Sequence, residues 1–258
     1  EAPDLTLQED VDAPTVIATT PTNRQSNVTI SQPTTAIIQF SMSMDSSSVI
    51  DAISISPKLS FRVRNEGGQD VYAIDMDAVP TDDGGVPLRY GTRYTVTISD
   101  SARSMTGVAM EESYEFSFTT GYAEITGTSP ADNSRGVSVN FDRPISIYFN
   151  APIDPDSISA DDITFNPSLP SSPSVNFRRD ARSGWTTMYV SGFAQPDVEY
   201  TMTVRRGVKT VTGDRVRNLP YKMKFRTAAW VDLGTLYNTD PNSNSDDARR
   251  ERDRSRRR

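Results

Sequence analysis

The sequence predicts an all-β protein in which two similar sandwich domains follow one another along the chain. Two observations lead to this prediction. The first is that the chain of 258 residues contains one residue pattern twice, and this length allows two domains of ordinary size, each with its own core. The second is that apolar and polar residues alternate over several short stretches of each copy, as they do in half-buried β-strands.

The repeat is defined by residues that keep a constant separation along the chain. Pro21 and Val28 match Pro130 and Val137 at an offset of 109 residues. The same offset relates Phe40 to Phe149, Asp45 to Asp154, and Val49 to Ile158. Near the end of each copy the offset falls to 106, as between Gly107 and Gly213, so loop lengths differ slightly. The predicted divisions are an N-terminal extension (1–13), domain 1 (14–121), domain 2 (122–228), and a linker with a charged tail (229–258).

Alternation identifies the strands of each copy. In TAIIQF the residues Ala36, Ile38 and Phe40 share one face, and Ile145 and Ile147 begin the equivalent face of the second copy. The later alternating stretches are YTVTIS and YEFSFTT in the first copy, and YTMTVR and YKMKFRT in the second. Shorter candidates in the first copy are TVIAT, ISIS, SFRVR and VYAIDM. About seven short strands in about a hundred residues are typical of an Ig-like Greek-key sandwich.

A serine-rich stretch follows the second predicted strand of the first copy, and an equivalent stretch follows it in the second. The two segments read FSMSMDSSSV and FNAPIDPDSI. Asp45 and Asp154 are suited to accept hydrogen bonds from backbone N–H groups of a short helical turn. Val49 and Ile158 then close the end of the sandwich. We interpret both stretches as structural corners, because a serine nucleophile needs a base and the chain has no histidine.

These residues resemble bacterial Ig-like domains of the SbsA type, named for an S-layer protein. The residues that carry the resemblance are Phe40, Met44, Asp45, Ser48, Val49, Leu88, Gly91, Thr92, Tyr94, Gly107 and Phe116 to Gly121. The second copy departs from the pattern, with Ile153 at the position of Met44 and Asp197 at that of Gly91. The stretch LRYGTRYTV is also similar to fibronectin type III domains, which share the sandwich fold. The resemblance implies a non-catalytic module of an exported bacterial surface protein.

The residue types present exclude several kinds of chemistry. The chain has neither cysteine nor histidine, so disulfides, imidazole bases and the usual zinc ligands are ruled out. The carboxylate pairs Asp154 with Asp156 and Glu111 with Glu112 do not have the arrangement expected across a catalytic cleft. We therefore expect no enzyme activity, no catalytic residue and no cofactor. No run of about 20 apolar residues is present, so no transmembrane segment is predicted.

Two features of the sequence, the acidic stretch from Asp75 to Asp83 and Trp185, each allow two interpretations. Asp75, Asp77, Asp82 and Asp83 offer oxygen ligands for calcium, but their spacing does not fit an EF-hand loop. The other interpretation is an acidic, solvated hairpin loop. Trp185 either stacks on a sugar or closes a core or a loop.

Charge is distributed unevenly between the two copies. Residues through Gly121 include 7 basic and 17 acidic residues, a net charge of −10, whereas residues 122–245 contain 13 of each. The alternation places Glu115, Ser117 and Thr119 outward on the last strand of the first copy. The candidate partner-contact residues are Glu111, Glu112 and Glu115 in the first copy and Lys222, Lys224, Arg226, Arg205 and Arg206 in the second. We expect acidic and basic stripes that match head to tail between molecules, or else two solvated faces without a partner.

The C-terminal tail has a different composition. From Asp246 onward it contains seven arginines and four acidic residues, so it either docks on an anionic surface or is disordered. Nucleic-acid binding is disfavoured, because the sequence pI is about 4.8 and phosphate affinity needs a basic face.

The leading functional prediction is a spacer, adhesive or assembly module of a protein at the bacterial cell surface, in the extracellular space or in the periplasm. An alternative is the accessory Ig-like region of a secreted polysaccharide-active enzyme.

Overall fold

A computed structural model describes residues 12–77, 79–82, 84–140 and 143–229. Most of the predicted N-terminal extension and the whole Arg-rich tail lie outside these residues. Within the described part, the chain forms four four-stranded sheets that build two Ig-like sandwiches in tandem. The predicted fold class is confirmed. None of the helices in this part is long and apolar enough to cross a membrane.

The first sandwich contains, among the described residues, eight strands and one short helix. These are β1 (Val16–Thr20), β2 (Gln25–Val28), β3 (Thr34–Phe40), α1 (Ser46–Ala52), β4 (Ile53–Ser56), β5 (Phe61–Asn65), β6 (Val71–Met76), β7 (Arg93–Ile98) and β8 (Tyr114–Thr120). One sheet has the order β1-β3-β6-β5 and the other β2-β8-β7-β4. In the second sheet β2 pairs with β8 and β4 with β7, so strands far apart in the chain lie side by side, as in a Greek key.

The second sandwich repeats this arrangement. Its described strands are β9 (Ile125–Ser129), β10 (Ser134–Val137), β11 (Ile145–Phe149), β12 (Ile163–Asn166), β13 (Ser174–Arg179), β14 (Thr186–Ser191), β15 (Glu199–Val204) and β16 (Tyr221–Thr227). The sheet orders are β13-β14-β11-β9 and β10-β16-β15-β12. Two short 3₁₀ turns, Pro155–Ser157 and Ala160–Asp162, stand where the first sandwich has α1.

Each sandwich has eight strands instead of about seven because its first strand is divided between the two sheets. In the first sandwich, β1 pairs antiparallel with β3, whereas β2 pairs parallel with β8. Pro21 lies between β1 and β2, and Pro130 occupies the same place between β9 and β10. Proline removes a backbone donor from the ladder, so it suits the point at which the chain leaves one sheet for the other.

The alternating apolar residues form the core of each sandwich. Phe40 and Phe149 are each 1% exposed, and the ring of Phe40 meets that of Tyr72 edge-on at 5.8 Å. In the second core, Tyr200 stacks on Phe225 at 5.6 Å. These contacts add to the free energy gained by burying large apolar surfaces.

Each sandwich also has a tyrosine that anchors the loop before its seventh strand. The hydroxyl of Tyr94 accepts a hydrogen bond from the backbone N–H of Arg89 at 2.8 Å, and that of Tyr200 accepts one from Gln195 at 2.9 Å. Burial raises the pKa of Tyr94. This is the tyrosine corner of Ig-like folds, and in the first sandwich it fixes the loop that contacts the second.

The serine-rich stretch is a structural corner, as predicted. Asp45 caps α1 by accepting from the backbone N–H of Ser48 at 2.8 Å, and the hydroxyl of Ser47 donates to the same carboxylate oxygen. These two hydrogen bonds hold the pKa of Asp45 below its usual value. Val49 on α1 is buried, and Ile158 takes the same role after the 3₁₀ turn that Asp154 caps.

Candidate functional site

Several hydrogen bonds and one ion pair join the two sandwiches where they meet. Strand β8 ends at Thr120 and β9 begins at Ile125, so residues 121–124 connect the two domains. Three groups of contacts hold the domains together around this connection. We call these three groups together the junction.

The first contact joins the tyrosine-corner loop of the first domain to Asp214 of the second. Arg89 donates from Nε to Oδ1 of Asp214 at 2.8 Å, and its Nη2 lies 2.6 Å from the same oxygen. The backbone N–H of Tyr90 donates to Oδ2 at 3.1 Å. The Asp214 side chain is only 12% exposed, and the hydrogen bond to it raises the pKa of Arg89. A carboxylate that accepts from both a guanidinium and a backbone amide forms strong, directional bonds.

Tyr90 places an aromatic ring within this contact. Its side chain is buried, and its hydroxyl donates to the backbone carbonyl of Asn150 at 3.2 Å. Burial, followed by the negative charge of Asp214, raises its pKa well above the usual value. The ring is therefore a neutral anchor between the domains.

The second contact holds the connecting residues themselves. The side-chain amide of Asn150 donates to the carbonyl of Tyr122 at 3.0 Å and accepts from the N–H of Glu124 at 2.7 Å. The Arg217 guanidinium lies 4.0 Å from the centre of the Tyr122 ring, in a cation–π contact. Gly91 makes room for this ring, because a Cβ there would lie 2.6 Å from it.

The third contact is made by Trp185. Its indole Nε1 donates to the carbonyl of Ile30 in the first domain at 3.1 Å. Asp180 shapes the hairpin that carries the indole by accepting from the N–H of Ser183 at 2.7 Å, and this bond helps to lower its pKa. Of the two interpretations of Trp185, the described contacts favour the structural one, since the polar edge of the ring bonds to the neighbouring domain.

The repeat predicts a short connection between the copies around Gly121 to Glu124, but it does not reveal the residues that make the contacts of the junction. At the offset of 106 residues, Asp214 stands at the position of Val108 and Arg217 at that of Glu111. These differences between copies were the available signal, because a residue used only between domains needs no counterpart in the other copy. The acceptors for Tyr90 and Trp185 are backbone carbonyls, which leave no mark in a sequence.

The candidate basic residues lie on one sheet of the second domain. Lys222 and Lys224 are exposed on β16, and Arg205 and Arg206 are exposed directly after β15. Arg226 is different, because its Nε donates to Asp197 at 3.0 Å and it faces Glu199 across the strand pair. The basic surface therefore consists of the two lysines and the two arginines after β15, with Arg226 partly neutralised.

The candidate acidic residues surround the equivalent strand of the first domain. Glu111 and Glu112 are exposed before β8, and Glu115 is exposed on it, accepting from the Thr97 hydroxyl at 3.1 Å. The expectation that Ser117 faces solvent is wrong, since its side chain is buried.

Ser117 is buried because the side chain of Arg93 and the segment that carries Asn23 cover it. Arg93 donates to the Ser117 hydroxyl at 3.0 Å, and the Asn23 side chain accepts from the Ser117 backbone at 3.0 Å. The acidic stripe is thus interrupted by Arg93.

In the acidic loop considered for calcium, Asp75 already accepts hydrogen bonds from other side chains. Asp75 accepts from Arg64 at 2.8 Å and from the hydroxyl of Thr35 at 2.7 Å. Burial acts to raise its pKa, but the bonds from Arg64 and Thr35 outweigh it, and the pKa is lowered. Among the residues that the structure describes, no three acidic side chains are grouped to hold a metal ion. Asp83 lies outside them.

Tandem sandwiches with these sheet orders and tyrosine corners define an Ig-like class of protein. The family model described as "Bacterial Ig-like domain" matches residues 10–120 and 122–227. The chain therefore belongs to the bacterial Ig-like domain family. The search of curated proteins finds no match.

Solved structures with the same kind of fold include three from different sources. The N-terminal part of the bacterial S-layer protein SbsC is 15% identical over 83% of this chain and 44% of that chain, with a TM-score of 0.30. A fragment of α-2-macroglobulin from Escherichia coli is 11% identical over 84% and 72%, with a TM-score of 0.40. The titin fragment A168169 is 15% identical over 85% and 100%, with a TM-score of 0.25. The chain spans less than half of the SbsC fragment.

Proposed function

We propose that this chain is a non-catalytic spacer in an exported bacterial surface protein, and that its junction holds two Ig-like domains in one fixed relative orientation. The observation that carries the proposal is the set of contacts around Asp214, Asn150 and Trp185. Membership of the bacterial Ig-like domain family supports a structural or adhesive role. A location at the cell surface, outside the cell or in the periplasm is part of the same proposal.

Three separate contacts restrict more motion than one contact of the same strength. A single contact leaves the domains free to rotate about it, whereas these contacts involve Ile30 and Tyr90 on different segments of the first domain, and Tyr122 in the connection. Domains joined only by a linker move relative to each other by default. A spacer benefits from the restriction, because it keeps its two ends at a constant separation.

Limited proteolysis tests the stiffness of the pair. We expect trypsin to cut first in the tail, where seven of the last thirteen residues are arginine, and to leave a fragment ending at Arg249, which chymotrypsin should shorten to one ending near residue 230 by cutting after Trp230. Chymotrypsin, which can cut after Tyr122, and a glutamate-specific protease, which can cut after Glu124, should leave the connection intact over the same time. Early cleavage at either residue would contradict a stiff junction, because proteases need a locally opened chain.

A second candidate function is self-association through the charged faces. Lys222 and Lys224 form no ion pair with any described residue, while Glu111, Glu112 and Glu115 are exposed on the other domain. A head-to-tail contact between molecules would match these faces and would not close on itself, so it would build a filament or a layer.

Sedimentation at low and high salt tests this association. We expect species larger than a monomer at low salt, dissociation at high salt, and loss of association in the triple variant Lys222→Glu, Lys224→Glu, Arg226→Glu. The matched control is the triple variant Arg178→Glu, Arg179→Glu, Arg182→Glu, which makes the same change in net charge at exposed positions on the other sheet of the second domain and its hairpin. A monomer at every salt and protein concentration would contradict the contact and leave both faces as solvated surface.

A further inference from the structure

We infer that the second domain binds a ligand carrying an oxyanion, such as a carboxylate or phosphate group, in a surface cavity lined by two arginines that have no counterpart in the first domain. The cavity has a volume of about 370 Å³ and opens beside β10. This volume is at the lower end of the range for small-molecule sites. Its lining includes two arginines, three serines and the apolar residues Pro130, Val137 and Pro144.

The two arginines supply the charge. Arg135 and Arg143 are exposed, and neither guanidinium forms an ion pair or a hydrogen bond with a described residue. A guanidinium presents its N–H groups in a fixed fork that matches a carboxylate or a phosphate. Ser129 and Ser134 add hydroxyl groups to the same lining. The cavity therefore offers several donors to one negatively charged group.

Comparison with the first domain shows that the site is specific to the second. At the offset of 109 residues, Arg135 stands at the position of Ser26 and Arg143 at that of Thr34. Thr34 is buried and bonds to the carbonyl of Ser31. The first domain thus has small, neutral side chains where the second has two exposed cations.

A third difference, at Gly136, leaves open space between the two arginines. Gly136 stands at the position of Asn27, and both have left-handed backbone, with φ values of 70° and 58°. The backbone therefore turns the same way in both domains. The amide oxygen of Asn27 packs near Gly121 in the first domain, whereas the space around a Cβ placed on Gly136 is empty to 4 Å. Compared with the first domain, the second therefore has no side chain at the position of Asn27 and has two additional positive charges, Arg135 and Arg143, at the same site.

The walls restrict the ligand beyond its charge. Pro130, Val137 and Pro144 give an apolar surface beside the arginines, so a charged group on an organic scaffold has more to contact than a free inorganic ion. Both arginines are exposed, so salt weakens their attraction for either ligand. We expect a uronic acid to bind more tightly than inorganic phosphate, and a neutral sugar not to bind measurably.

The test is an NMR titration of the full chain with sodium glucuronate, inorganic phosphate and glucose at constant ionic strength. We expect glucuronate, and more weakly phosphate, to shift the Nε–H signals of Arg135 and Arg143 and the amide of Gly136. The variants Arg135→Ser and Arg143→Thr, which restore the residues of the first domain, should each weaken binding about tenfold. Gly136→Asn should weaken it without changing any charge, since asparagine tolerates left-handed backbone and fills the cavity.

The matched control is the double variant Arg205→Ser, Arg206→Ser, which removes two exposed positive charges from the loop after β15, at the end of the sheet away from β10. Retained binding in this control, with loss in the three cavity variants, supports the site. Equal loss in the control and in the arginine variants would overturn it, because the attraction would then follow net charge alone. Unchanged affinity in the Gly136→Asn variant would also overturn it. Amide signals of the second core report whether each variant is folded, and any one folded cavity variant suffices for the comparison.

Discussion

Replacing Phe149 with alanine is expected to destabilise the second domain by about 3–5 kcal/mol. Phe149 is 1% exposed in the second core, and the change removes the whole ring and leaves a cavity. Single domains are stable by only about 5–15 kcal/mol, so a large part of the stability of this domain would be lost. Hydrogen exchange read by mass spectrometry should show lost protection in β9–β16 and retained protection in β1–β8.

Phe40→Ala is the matched control, because Phe40 occupies the same place in the first core and is equally buried. It should reverse the pattern, with lost protection in β1–β8 alone. If either variant lowered protection in both domains equally, the two sandwiches would form one cooperative unit, in contradiction to two separate cores.

Replacing Asp214 with alanine is expected to open the junction. The change removes the acceptor for Arg89 and for the backbone N–H of Tyr90, and leaving a buried donor unsatisfied costs about 1–3 kcal/mol. A loss of about 2 kcal/mol raises the population of the open state about 30-fold, since each 1.4 kcal/mol is a factor of ten. The rate of chymotrypsin cleavage after Tyr122 should rise by a similar factor, provided that opening is fast relative to cleavage.

Arg226→Ala is the control for this variant. It removes an ion pair of similar length within the second domain, the one with Asp197, and leaves the junction intact. Its cleavage rate after Tyr122 should equal that of the wild-type protein. A rate for Asp214→Ala that matches this control would show that Asp214 does not hold the domains together.

The fold could be predicted because its signals are repeated and local. Ala36, Ile38 and Phe40 lie inward at every second position and are buried, so the alternation alone locates the strand and its inner face. The capping role of Asp45 was also predictable, since a carboxylate before a short helix has few other uses. Both features depend on residues near one another in the sequence.

The outer faces and the junction could not be predicted in the same way. Ser117 follows the alternation of its strand, yet Arg93 and a distant segment cover it, and alternation does not detect such cover. The sequence left two interpretations of Trp185 open and gave no sign of a role for Tyr90, yet each bonds to a carbonyl of the other domain. Such contacts depend on how two folded domains meet.

The distance between spin labels on the two domains tests the proposal of a fixed pair most directly. The chain has no cysteine, so Ser54→Cys and Asn176→Cys, both at exposed strand positions, provide the only labelling sites. Pulsed dipolar spectroscopy should give a single peak as narrow as that of an Asn176→Cys, Lys224→Cys pair within the second domain. A distribution much broader than this intradomain control, or one with several peaks, would contradict a junction that holds the two domains in one orientation.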